Sequence, residues 1–174
     1  MEVVQAIKQR IPEYAKDIRL NLDAVIGRSS LEPADALGCA LAAAFAARSP
    51  ALLALLREAT PEPERDAALT AAALMGMNNV WYPFVDMTGD DDLKTLRPEL
   101  RMNAYATHGG VSKRKFEAYA LAASAIGKCH FCVGNHYDLL KKDGMTTQQL
   151  RDIGRIAAVV HATALVLEAE RAPA

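Results

Sequence analysis

Residues 112–142 read SKRKFEAYALAASAIGKCHFCVGNHYDLLKK, and this stretch decides the fold class of the chain. Its first part is rich in Ala and Leu, which are strong helix formers, so we predict a helix over Lys113–Ile126 with Ser112 as its N-cap. Gly127 breaks that helix, and a second one is predicted over Cys129–Lys142. Two consecutive helices with no strand between them indicate an all-α fold.

The rest of the chain continues this pattern, and no segment alternates as a strand would. Further helices are predicted over Glu13–Leu20, Asp35–Arg48, Ala51–Ala59, Arg65 to about Asn78, Pro98–Ala106, and Thr146 or Thr147 to about Arg171. Residues 83–92 hold Pro, Gly and four Asp, which predicts an exposed loop. We therefore expect a single all-α domain over residues 1–174.

A weak repeat links the two halves of the chain. The segments Ala54–Glu58 and Asp138–Lys142 each follow an Ala-rich helix and precede a turn and another apolar helix. This similarity raises the hypothesis of an internal duplication, although Ala-rich helices resemble one another by composition alone. The first half has no counterpart of the cysteine pair.

Composition and charge exclude several classes of function. Lys and Arg number 20 against 21 Asp and Glu, so no basic excess exists to neutralise the phosphates of a nucleic acid. The longest apolar run, Ile156–Leu167, is interrupted by His161 and Thr163 and is shorter than the roughly 20 residues of a membrane span. The first residues lack the basic and apolar regions of a signal peptide. We therefore expect a soluble, cytoplasmic protein.

Cysteine spacing supplies the main chemical signal. The chain has three cysteines, Cys39, Cys129 and Cys132, and an odd number in a reducing compartment argues against a structural disulfide framework. Residues three apart at a helix start face the same side with Cβ atoms roughly 5–6 Å apart, and modest relaxation brings them to the roughly 4 Å of a disulfide. The helix N-terminus and the adjacent Lys128 favour a thiolate. Cys129 and Cys132 are thus predicted to form a reactive dithiol.

Two further residues are candidates for proton transfer. His136 lies on the same helical stripe as both cysteines, and its imidazole could relay a thiol proton near neutral pH. Glu117 lies on the preceding apolar helix, where partial burial would raise its pKa and suit it to act as a general base.

Other interpretations of these residues are weaker. A zinc site would need Cys129, Cys132 and His136 with His108 or His161 as the fourth ligand, and no second cysteine pair exists. A thioredoxin-like protein would need a strand before the pair.

The remaining candidates fit structural roles. His130 is predicted to point away from the face that the cysteines share, and His161 to be a hydrogen-bonded core histidine. Cys39, Met75 and Met77 fit core positions, and Trp81 and Tyr82 fit a helix end or a subunit contact.

This constellation resembles the alkylhydroperoxidase D (AhpD) family of the carboxymuconolactone decarboxylase-like superfamily. The resemblance rests on Glu117, on Cys129-x-x-Cys132-x-x-x-His136, and on three other segments. These are Pro12–Ile18, Met75–Val80 and Leu96–Asn103.

The resemblance implies an AhpD-like helical fold, a homotrimer and reduction of organic hydroperoxides. In such enzymes the second cysteine, here Cys132, becomes the sulfenic acid. The first, here Cys129, donates a proton and resolves the sulfenic acid to a disulfide, while His136 and Glu117 complete the site. No bound cofactor or metal is expected. A dihydrolipoyl group, carried by a lipoylated acyltransferase of a 2-oxoacid dehydrogenase complex, supplies electrons, and the peroxiredoxin AhpC is a further expected partner.

The chain departs from the family at two positions. Phe131 stands where family members commonly have His directly before the second cysteine, with His130 one position earlier, and Gly127 stands where the family often has Asn. Three alternatives stay open: a dithiol adaptor for a peroxiredoxin, a non-redox decarboxylase-like member of the superfamily, and a structural zinc protein. The intact cysteine pair argues against the second.

Overall fold

The computed structural model describes residues 1–171, and this range is helical without a β-strand. Its α-helices, numbered α1 to α9 in chain order, are Glu2–Lys8, Lys16–Leu22, Pro33–Ala46, Pro50–Ala59, Glu64–Thr88, Asp91–Thr95, Lys113–Gly127, His130–Lys142 and Thr147–Ala169. The segments Glu13–Ala15 and Asn103–Gly110 form 3₁₀ turns, and Asp23–Gly27 extends α2 as a π-turn. The predicted all-α fold is confirmed.

Local sequence signals mark several of the helix starts. The Ser112 hydroxyl accepts from the backbone N–H of Lys115 at the start of α7. At the start of α9, Thr146 and Gln149 cap each other's backbone N–H groups. These caps satisfy helix-terminal donors that would otherwise lack partners.

The region after Asn78 differs from the prediction. Helix α5 continues to Thr88 through Pro83, so the loop predicted over residues 83–92 is wrong for most of its length. Apolar side chains recur at helical spacing beyond the proline, and α5 ends only at Gly89, whose φ of 64° no longer fits a helix.

The short helix predicted over Pro98–Ala106 is also wrong. Glu99 has a φ of 52°, in the left-handed region, which interrupts a helix there. The 3₁₀ turn starts only at Asn103. Helix α1 had no prediction at all.

Ala-rich helices α3, α5, α7 and α9 build the core, and α3 contacts each of the other three. Small residues allow close helix approach. At Gly38, for example, an ideal Cβ would lie 2.4 Å from Tyr119 Cε1, so α3 and α7 could not pack this closely with a larger residue there. This packing brings α7 and α8 against α5, which supplies the walls of the site described next.

The internal duplication stays a prediction. Helices α3, α4 and α5 follow the same long, short, long order as α7, α8 and α9. The first helix of each triplet packs on the other two. In the part of the chain that the structure describes, no helix is long and apolar enough to cross a membrane.

Candidate redox active site

The two cysteines lie at the start of α8, as the sequence predicts. Cys129 is the N-cap, and its Sγ accepts a hydrogen bond from the backbone N–H of Cys132 at 3.2 Å. The two residues form a disulfide across Cα atoms 5.2 Å apart, within the usual range. Because Cys129 has extended rather than helical backbone angles, its side chain can reach that of Cys132.

The turn before Cys129 depends on two unusual positions. Lys128 adopts a left-handed conformation with φ 54°, which ends α7 and reverses the chain. Gly127 has no room for a side chain, since an ideal Cβ would lie 2.2 Å from Nδ2 of Asn79. Asn79 in turn donates to the carbonyl oxygen of Ala123 at 3.2 Å. The Asn that the family often has at position 127 would therefore clash with Asn79 in this chain, and Gly127 avoids that clash.

The two sulfurs differ in their surroundings. Cys129 is 0% exposed and Cys132 is 3% exposed. A cavity of about 270 Å³ adjoins Cys132 and does not reach Cys129. The cavity is lined by Met75, Asn78, Tyr82, Met102, Tyr105, Phe131, Cys132, Asn135 and His136. A small molecule that enters this cavity thus meets Cys132, with Cys129 behind it.

Glu117 and His136 form a buried pair between α7 and α8. The Glu117 Oε2 atom lies 2.5 Å from His136 Nδ1, and the Tyr105 hydroxyl donates to the other carboxylate oxygen. On the far side of the ring, His136 Nε2 lies 3.2 Å from the sulfur of Met75. The carboxylate therefore fixes the orientation of the imidazole, and the ring lines the cavity that contains Cys132.

The electrostatics of Glu117 differ from the prediction. Burial raises its pKa, but hydrogen bonds from His136 and Tyr105, together with the nearby Lys113 ammonium, outweigh burial, so the net pKa is lowered. The predicted raised pKa is wrong, because sequence alone could not show that two donors converge on the carboxylate. Burial, together with the hydrogen bond to Glu117, raises the pKa of Tyr105. Near neutral pH, Glu117 is therefore ionised and Tyr105 is neutral.

Three residues near the sulfurs or the pair were not predicted to belong to the site. The carbonyl oxygen of Asn78 lies 3.9 Å from Cys129 Sγ and 3.7 Å from Cys132 Sγ, where it could accept from a thiol. Tyr105 gave no sequence signal. Met75 is buried, as the core interpretation predicts, but it also contacts His136.

The remaining histidines lie apart from this pair. His130 is exposed and lies along an outer groove, while His108 packs edge-on against the rings of Tyr105 and Phe116. His161 is half-buried, and its Nδ1 has no hydrogen-bond partner within residues 1–171, so its prediction as a hydrogen-bonded core histidine fails for that atom. No cluster of three potential metal ligands occurs in that range.

The outer groove has a volume of about 800 Å³ and adjoins the cavity. Tyr82 and Phe131 border both spaces, and their rings stack with centroids 4.2 Å apart. Phe131, at the position where the family commonly has His, is 58% exposed. Val80, Phe84 and Met87 are further exposed apolar side chains of α5, and of these three Met87 alone lines the groove.

Comparison with known proteins gives a consistent result. The model of the carboxymuconolactone decarboxylase family matches residues 91–174. The alkyl hydroperoxide reductase AhpD of Rhodospirillum centenum is 44% identical over 173 residues, covering 97% of this chain and 92% of that protein. The AhpD proteins of Maricaulis maris and Streptomyces coelicolor are 43% and 40% identical, over 96% of this chain and 98% and 96% of their own lengths.

Proposed function

Because the chain belongs to the alkyl hydroperoxide reductase AhpD family, we propose that it reduces organic hydroperoxides with the Cys129–Cys132 dithiol. The observation that carries this proposal is the asymmetry of the pair: Cys132 and His136 line one cavity, and Cys129 lies behind it within disulfide reach. A peroxide in that cavity would meet one sulfur, and the second sulfur is held in place to resolve the product.

The first step is deprotonation of Cys132. Its proton passes across the shared cavity to Nε2 of His136, and the ionised Glu117 at Nδ1 stabilises the resulting imidazolium. The N-terminal end of α8 favours the thiolate that remains.

Peroxide reduction then consumes one hydroperoxide per dithiol. The Cys132 thiolate attacks the terminal peroxide oxygen, so an S–O bond forms, the O–O bond breaks, and the alkoxide takes a proton from Cys129. The Cys129 thiolate attacks the sulfenic sulfur of Cys132, forming the disulfide and expelling hydroxide, which takes the proton held by His136. The products are an alcohol, water and the oxidised pair.

Electrons return from a dihydrolipoyl group in our proposal. Its thiolate attacks the Cys132 sulfur, which faces the cavity, and Cys129 leaves; the second lipoyl thiol then completes the exchange. A slender arm suits a cavity of about 270 Å³. The carrier we propose is the lipoylated acyltransferase of a 2-oxoacid dehydrogenase complex.

Three further features belong to the same proposal. Regeneration of the peroxiredoxin AhpC would require its oxidised segment to reach Cys132 through the same opening. The exposed apolar surface around Met75–Tyr82, which includes Val80, is the proposed contact of a homotrimer. The cytoplasm is the proposed location, because a dithiol that cycles needs a reducing compartment.

A dithiol adaptor with little peroxidase activity is the alternative. Such an adaptor would act mainly on the cysteine of a folded partner, and the low exposure of Cys132 makes that reaction slower than attack on a small molecule that enters the cavity. A small peroxide has no such difficulty, so the geometry favours the peroxidase.

A thiol count tests the peroxidase directly. The reduced protein, denatured after one equivalent of cumene hydroperoxide, should show only Cys39 as a thiol, whereas the untreated sample should show all three cysteines. Metal analysis of the same sample tests the zinc alternative. Three thiols after treatment would reject the proposal.

A further inference from the structure

The groove beside the active site has a size and position that suit a ligand. Its volume of about 800 Å³ lies within the range of small-molecule sites. It is lined by Trp81, Tyr82, Pro83, Val85, Asp86, Met87, Leu93, Lys94, Leu96, Pro98, Lys128, His130 and Phe131. Tyr82 and Phe131 also border the Cys132 cavity, so the groove and the cavity share an apolar boundary.

Apolar side chains make up most of this lining, which suits a hydrocarbon chain. The stacked rings of Tyr82 and Phe131 present a flat apolar surface at the point where groove and cavity meet. A methylene transferred from water onto such a surface strengthens binding by up to about fourfold. A substrate with a long alkyl chain would therefore bind more tightly than a small hydroperoxide.

Charge in the groove favours an anionic ligand. The lining contains Lys94 and Lys128 against a single carboxylate, Asp86. Lys94 already pairs with Asp91 at 2.7 Å. Lys128 has no ion-pair partner within the described part of the chain, so its charge is available to a ligand.

The backbone at Lys128 gives an independent reason to look for a role. Its φ of 54° lies at a helix C-terminal position where Gly is usually preferred. A residue with a Cβ is disfavoured in this conformation. Lys128 thus holds a long cationic side chain in a disfavoured backbone conformation, next to Cys129 and along the groove, as residues at functional sites often do.

We propose that the groove binds long-chain fatty acid hydroperoxides, with the carboxylate at Lys128, the alkyl chain on Tyr82 and Phe131, and the peroxide group reaching Cys132. This inference rests on the proposed peroxidase function and names its substrate class. Phe131 is then a specificity residue, since it provides an apolar surface where the family commonly has an imidazole.

Binding can be measured without chemistry, because Trp81 is the sole tryptophan of the chain and lines the groove. Titration with dodecanoate, which carries no peroxide, should change the Trp81 emission and saturate. Octanoate should bind at least tenfold more weakly. Dodecanol, which has the same chain without the charge, should bind about fivefold more weakly, the size of a partly exposed ion pair.

Variants separate the two parts of the site. Lys128→Gln should weaken dodecanoate about fivefold and leave dodecanol unchanged, whereas Phe131→Ala should weaken both ligands. Lys16→Gln removes an exposed lysine far along the chain, on α2, and should change neither affinity.

Turnover gives a second readout. The ratio of kcat/KM for linoleic acid hydroperoxide to that for its methyl ester should fall about fivefold in Lys128→Gln. Both substrates meet the same sulfur, so any change in thiol reactivity cancels in the ratio. An unchanged ratio would overturn the role of Lys128.

Other results would overturn the groove as a ligand site. The first is a Trp81 emission that does not change in a saturable way as dodecanoate is added. The second is a Trp81 emission that changes with protein concentration rather than with dodecanoate, because this would show that a second copy of the chain occupies the groove. Consumption of cumene hydroperoxide without dodecanoate binding would reject this inference alone. Dodecanoate binding without consumption of any hydroperoxide would reject the peroxidase proposal and leave a fatty-acid site.

Discussion

Replacing Glu117 by Gln should slow oxidation of the dithiol while the fold persists. Gln has the same shape, and its amide oxygen can accept from His136 Nδ1 while its NH₂ group faces the Tyr105 hydroxyl. What the variant loses is the negative charge 2.5 Å from the imidazole. The imidazolium formed when Cys132 loses its proton would then face a neutral amide in a buried site.

The size of the effect follows from that contact. A hydrogen bond to a charged group is worth about 1.5–3 kcal/mol, against about 0.5–1.5 for a neutral one. The difference of about 1–2 kcal/mol corresponds to a rate loss of about 5–30-fold. Loss of the whole proton-transfer function would cost about 10²–10⁴-fold. Because Glu117→Gln removes the charge but keeps a hydrogen-bond acceptor, we expect the rate of dithiol oxidation to fall by about 5–30-fold.

The assay is a single turnover of reduced protein with cumene hydroperoxide, followed by quenching and quantification of the disulfide. Tyr105→Phe is the matched control, since it removes one hydrogen bond to Glu117 but keeps the charge, and it should slow the reaction only a few-fold. Equal unfolding midpoints in urea would show that both variants remain folded. A Glu117→Gln rate equal to wild type, or equal to that of Tyr105→Phe, would refute the role of the charge.

The pH dependence has a definite sign. The pKa of Glu117 is lowered in the folded protein from an ordinary value of 4.5. Its charge therefore contributes to stability and to catalysis at and above pH 4.5, and the contribution is lost only as pH falls through the lower, folded-state pKa. Protonation of Glu117 should produce no decline of the wild-type rate between pH 7 and pH 5. A decline there that Glu117→Gln abolishes would contradict the lowered pKa.

Three other predictions follow from the site and its surface. With a sulfenic-acid probe and mass spectrometry, Cys129→Ser should be labelled at Cys132, and Cys132→Ser should not be labelled at Cys129; label on Cys129 at the wild-type rate would reverse the assignment. Gly127→Ala should lower the free energy of unfolding in urea by about 1–3 kcal/mol, because its Cβ would overlap Asn79. Gly134→Ala, where nothing lies within 4 Å of the added Cβ, should be neutral or stabilising, and equal losses would refute the steric argument. Light scattering should give about three times the 18.8 kDa of one chain, and a monomer mass at micromolar concentration would reject the trimer.

Local signals sufficed for much of the fold. Ser112 and the Ala-rich sequence after it predicted α7, and the spacing of Cys129 and Cys132 predicted a bonded pair at a helix start, because capping and i, i+3 geometry involve neighbours in sequence. The prediction of a loop over residues 83–92 was wrong because it relied on Pro83, and Pro usually ends a helix. Helix α5 nevertheless continues through Pro83 to Thr88, with Phe84 and Met87 exposed.

The sequence by itself thus determined the helical class and the family, and it located the cysteine pair at a helix start. Tertiary structure alone decided that Cys132 and not Cys129 meets the cavity, since the helices packed around the two sulfurs bury Cys129 completely and leave an opening at Cys132. It also decided the ionisation of Glu117. Burial alone would raise that pKa, and the donors that reverse the shift, Tyr105 and His136, come from a turn and a helix whose approach is set by packing.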